Sequence, residues 1–139
     1  MRHLGPVTVL ILLLGLVFAA PVLAIGPVVG ASCSMSWTEP QTNTDGSNLA
    51  DLKEYRIYVT QTPGLYGSTA AKTVQAPAAD PPTGATVQTP CPPGIPQGQN
   101  YATVIAVDTA GNPSPRSNES PFVLDTVAPG GATGFTVSP

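Results

Sequence analysis

Proline and glycine break this chain at such short intervals that no stretch of it has both the length and the 3.6-residue apolar period of a surface helix. There are 17 prolines and 14 glycines among 139 residues, a share of about 22% that borders on low-complexity sequence. The segments between the breaks are nevertheless patterned. Residues 31–38 alternate without fault, placing Ala31, Cys33, Met35 and Trp37 on one face and Ser32, Ser34, Ser36 and Thr38 on the other. That is the period of a half-buried strand. Residues 55–60 repeat it, with Tyr55, Ile57 and Val59 opposed to Arg56, Tyr58 and Thr60. Further strands are predicted at 69–75, where Lys72 guards an edge, and at 85–89, 101–108 and 120–124. Turn formers fill residues 39–49, with Asp45-Gly46 at their centre, and residues 63–67, 76–84, 92–94 and 109–113. Short strands at such spacing predict an all-β fold, an antiparallel β-sandwich of about seven strands.

The amino terminus reads differently. Arg2 and His3 precede an uncharged apolar run over residues 7–20, Pro21 breaks it, and Val22 and Ala24 are the small residues of a cleavage site. Residues 1–24 thus have the pattern of a secretory signal peptide; the alternative is a membrane anchor, since residues 4–23 are long enough to span. Cleavage leaves 139 − 24 = 115 residues, room for one domain. The expected location is secreted or in the cell envelope. There, an even cysteine count favours a disulfide between Cys33 and Cys91.

Charge and composition exclude more than they suggest. The net charge is −3, and −4 once Arg2 leaves with the leader, which argues against nucleic acid or an anionic membrane as partner. His3 is the only histidine, so the mature chain has no imidazole base, no Ser/His or Cys/His pair and no histidine metal ligand. No cofactor, metal or catalytic residue is expected. Asn43, Asp45 and Asp51 lie close in sequence, but the spacing fits turn chemistry better than a calcium loop. Glu39 and Asp108 are the pair to consider for glycoside hydrolysis, which needs two carboxyls across a cleft. Asn118-Glu119-Ser120 matches a glycosylation sequon. Arg56, Tyr58 and Tyr66 are candidates for an exposed aromatic and polar binding surface.

Several stretches, taken in order, resemble a fibronectin type III domain of the kind found in exported bacterial proteins. They are Ser34-Met35-Ser36-Trp37-Thr38-Glu39-Pro40 for that family's strand B, Asn43-Thr44-Asp45-Gly46-Ser47 with Leu49 and Leu52 for its B–C loop, and Tyr55-Arg56-Ile57-Tyr58 for strand C. Residues 95–112, followed by Ser117-Asn118-Glu119, correspond to strands F and G. The resemblance implies an immunoglobulin-like sandwich over residues 25–124 with Met35, Trp37, Tyr55, Ile57, Tyr101 and Val104 in its core. The cysteine pair departs from that family, whose typical members lack disulfides; joined, Cys33 and Cys91 would staple strand B to the end of strand E. One count places the family's corner tyrosine at Tyr101 and another at Asn100; a one-residue bulge beside Tyr101 would reconcile them. The register leaves open whether Val104 and Ala106 or Thr103 and Ile105 face the core.

Residues 125–139 look like a linker and the first strand of a following repeat, with Gly134-Phe135-Thr136-Val137 strand-like. Phe135 and Val137 would anchor it on a sheet edge of another copy. The expected function is a non-catalytic secreted or cell-surface module, binding protein or polysaccharide or acting structurally. The alternative is an accessory or spacer fragment of a multidomain extracellular enzyme such as a glycoside hydrolase.

Overall fold

Alternation and turn chemistry produce seven strands in chain order: β1 (Val28–Val29), β2 (Ser34–Thr38), β3 (Leu52–Thr60), β4 (Lys72–Gln75), β5 (Thr86–Pro90), β6 (Gly98–Asp108) and β7 (Ser120–Leu124). The computed structural model describes residues 26–30, 32–77 and 82–138, and no helix occurs among them. The leader, residues 1–24, lies outside the described residues. One sheet has five strands in the order β1-β7-β6-β3-β4, the other only β2 and β5. Every pair is antiparallel except β1 with β7. This is an all-β arrangement consistent with a β-sandwich.

Trp37 of β2 meets Tyr55 of β3 edge to face, ring centroids 5.0 Å apart, and so joins the two sheets. On the β4 side Lys72 Nζ donates to the Pro90 carbonyl at 2.7 Å. Cys33, just before β2, and Cys91, just after β5, form a disulfide with Cα atoms 5.4 Å apart, within the ordinary range. The Cys91 amide also donates to the Cys33 carbonyl at 3.0 Å. The bond is consistent with an extracellular compartment.

Several expectations are corrected. The pairing of β3 with β6 runs without a shift from Tyr101 to Val107, and its one irregularity falls between Leu52 and Glu54. No bulge sits beside Tyr101. Instead Asn100, fully buried, turns back on the chain: its Nδ2 donates to the carbonyls of Pro96 at 2.9 Å and Gly98 at 2.8 Å. Tyr101 is buried as well, on the opposite face. In register, Ala106, Val104 and Ala102 pair with Tyr55, Ile57 and Val59 and share their face toward β2. Val104 is only half-buried there. The other face packs more tightly: Tyr58, Ile105 and Val107 form an apolar cluster with Tyr66 and Ala70 lying over it. The segment between β3 and β4 covers that face, which is why both sides of β6 are apolar. β4 begins at Lys72 rather than residue 69, and β1 is a strand the local sequence did not announce.

Candidate functional site

The carboxylates named from sequence are committed to holding the backbone. Glu39 is buried, and its Oε2 accepts from the amides of Thr83 at 3.2 Å and Ala85 at 3.3 Å. Asp108 accepts from the Asn112 amide at 2.8 Å and from Asn112 Nδ2 at 2.7 Å. Those bonds, the side-chain one foremost, hold its carboxyl below the usual range. Asp45 is lowered likewise by the Ser47 hydroxyl at 2.6 Å and the Ser47 amide at 2.9 Å. Asn43 Nδ2 donates to the same hydroxyl at 3.0 Å, and Asp51 accepts from the Thr109 hydroxyl at 3.4 Å. Each of these bonds ties its turn or loop to the chain.

The proposed surface of Arg56, Tyr58 and Tyr66 is also corrected. Tyr58 is buried, and Arg56 pairs with Glu54 at 2.7 Å. Over both tyrosines lies Arg116, its guanidinium 4.2 Å from the Tyr58 ring centroid and 4.8 Å from that of Tyr66. The Tyr66 hydroxyl donates to Glu119 at 2.6 Å, and the Gly64 amide to the same carboxylate oxygen at 2.7 Å. The cluster is therefore a cation–π brace over the apolar face. Sequence reasoning missed Arg116 because nothing local marks it; its partners lie far away in the chain.

Two tyrosines carry a pH dependence. Burial, with the Glu39 charge second, pushes the Tyr55 phenol up to about 12; burial and the bond to Glu119 push Tyr66 up as well. The unfolded value is near 10, so above it the unfolded chain releases protons that the folded chain keeps. Stability is therefore unaffected at neutral pH and falls as the pH rises from about 10 toward about 12. Urea unfolding at a series of alkaline pH values is expected to show this fall, and a flat profile would contradict it.

Among the described residues, what stays open is the flank beside β2. The Glu39 amide donates to the Ala85 carbonyl at 3.0 Å, and the Cys33 carbonyl accepts from Cys91 at 3.0 Å. Odd-numbered residues thus direct their backbone groups at β5, and in an antiparallel ladder the even ones, Ser34 and Ser36, direct theirs the other way. Among the described residues β2 pairs with β5 alone. Two strands, spaced roughly 5 Å apart, cannot cover five. The result is a cleft of about 720 Å³ walled by Trp37, Tyr55, Ile57, Val104, Ala106 and Phe122, with Ser34 and Ser36 along its rim. β1 does not close it, because β1 bonds to β7: the amides of Val123 and Asp125 donate to the carbonyls of Pro27 and Val29, each at 2.9 Å. Gly26 packs so tightly on the Pro121 backbone that a side chain there would collide with it.

Beyond β7, residues 126–138 form no strand. Thr126 is tied to Gln97 through its amide at 3.1 Å, while Phe135 and Val137 are 88% and 83% exposed. No protein-family model matches the chain, and comparison with curated proteins and with solved structures finds no match.

Proposed function

We propose that the chain is a non-catalytic, secreted or cell-surface interaction module of the fibronectin type III kind, and that it binds protein partners along the edge of β2 that no described residue pairs with. One observation carries this reading: the outward backbone groups of Ser34 and Ser36 border a cleft with Trp37 and Val104 on one side and Arg116, Ser117 and Asn118 on the other. An extended peptide added there gains main-chain hydrogen bonds from the edge and burial for every second side chain. The fibronectin-like reading is supported by strand order, with β2 and β5 in one sheet and β3, β4, β6 and β7 in the other. A polysaccharide needs open aromatic platforms, whereas Tyr58 and Tyr66 lie under Arg116. A spacer within a larger extracellular enzyme is the second reading, favoured by the tail that leaves β7 without joining a sheet.

Calorimetric titration distinguishes these. Peptides of alternating valine and threonine are expected to bind, and soluble glucan oligosaccharides are not. Ser36→Pro removes one outward amide while leaving the β5 ladder intact, and is expected to weaken peptide binding at least tenfold. Oligosaccharide binding, or peptide binding indifferent to Ser36→Pro, would sink the edge reading.

A further inference from the structure

The β2 edge that no described residue pairs with and the tail that joins no strand are complementary. We propose that residues 132–138 of one copy insert along β2 of a second copy, adding a third strand to the β2–β5 sheet. This rests on the reading of that flank as a peptide-receiving edge and names its occupant.

The tail has the required pattern. Phe135 and Val137 fall on one face and Thr136 and Ser138 on the other, so a strand added to β2 turns its apolar face toward Trp37 and Val104 and its polar face away. Both apolar side chains are almost wholly exposed where the tail now lies. Residues 126–138 contain no charged side chain, whereas the chain as a whole carries −3. The tail thus brings no side-chain charge to the repulsion between two copies.

Reach and direction favour a second copy over the tail's own domain. Thr126, Leu124 and Cys33 border one small hollow at the disulfide end. A tail folding back from there would run along its own β2 from Cys33 toward Thr38, as a parallel strand. The tail of a neighbour can enter at the Thr38 end and pair antiparallel, which is the more stable pairing and the one β2 already makes with β5. Pro129 holds Ala128 extended. The five residues from 127 to 131, at about 3.3 Å each, span roughly 17 Å, the length available to link two neighbouring domains. Donor and acceptor are different patches, so the association is head to tail and builds chains or rings.

The test uses the full chain purified under oxidising conditions from cells expressing it, followed by sedimentation velocity over a range of concentrations. Larger species are expected to grow with concentration, and the double variant Phe135→Asp, Val137→Asp to remain monomeric. Both positions are exposed, so the variant folds normally. A synthetic peptide of residues 131–139 is expected to dissolve the assemblies. It should also shift the emission of Trp37, the only tryptophan, to shorter wavelength in the double variant, as the cleft wall becomes drier. A parent chain that is monomeric throughout overturns the proposal, as does assembly that survives in the double variant. Two monomeric proteins differing in Trp37 emission would place the tail in its own groove, which also overturns it. If valine–threonine peptides bind at β2 while the tail peptide does not, this inference falls and the edge-binding function stands; if neither binds, both fall.

Discussion

A double Cys33→Ala, Cys91→Ala variant is expected to melt roughly 20 °C below the parent chain. The disulfide closes 58 residues, and the loop-closure model assigns such a crosslink about 4 kcal/mol, through the freedom it removes from the unfolded chain. That is a large part of the stability of a domain this size. The effect is amplified by what the bond joins. The β2–β5 sheet has only two strands, and its ends are held by the disulfide at one pole and by Glu39, with its bonds to Thr83 and Ala85, at the other. Differential scanning calorimetry of parent, variant and reduced parent makes the check. Coincident melting of all three would mean that the thiols do not pair in solution.

Tyr55 gives the second large effect, and its two variants should diverge in sign. The residue is 1% exposed and packs on Trp37 at the only aromatic contact between the sheets among the described residues. Tyr55→Ala removes that contact and leaves a void open to the cleft, a change that costs about 3–5 kcal/mol in protein cores. Tyr55→Phe is a different experiment, because the hydroxyl is buried without a hydrogen-bond partner. Deleting an unsatisfied hydroxyl removes a desolvation cost while keeping the ring, so this variant should be at least as stable as the parent. It should also lose part of the alkaline destabilisation described above. Urea melts of both variants decide the matter; a phenylalanine variant much weaker than the parent would mean that the hydroxyl has a partner.

How far the sequence was legible follows from how local each signal is. Residues 34–38 and 120–124 alternate or bunch apolar side chains between clear turns, and both became strands. The cysteines declared their pairing by number. β6 misled because period-two reasoning assumes one dry face and one wet one. Its run Tyr101-Ala102-Thr103-Val104-Ile105-Ala106-Val107 is nearly continuous in apolar character, the pattern of a strand covered on both sides. Read that way, Val107 and Ile105 would have ranked with Tyr55 and Ile57. Arg116, β1 and the cleft were out of reach for another reason. Each depends on a choice between distant partners: β1 pairing with β7 rather than β2, and Arg116 reaching across to β3. Asn100 lies between the two cases, since the competing count pointed to its position but not to the bonds its amide makes.

The parallel pairing of β1 with β7 has a mechanical consequence. Val28 lies beside Val123 and Val29 beside Leu124, so the chain enters beside one end of β7 and leaves from the other. Tension applied through the two termini drags these strands past each other lengthwise and loads both of their hydrogen bonds together, rather than peeling them one after the other. Once that clasp yields, the force meets the covalent link from Cys33 to Cys91, which shields everything between them. A copy stretched between its termini lengthens only outside that loop, through β6 and β7, while β2 and β5 stay tethered.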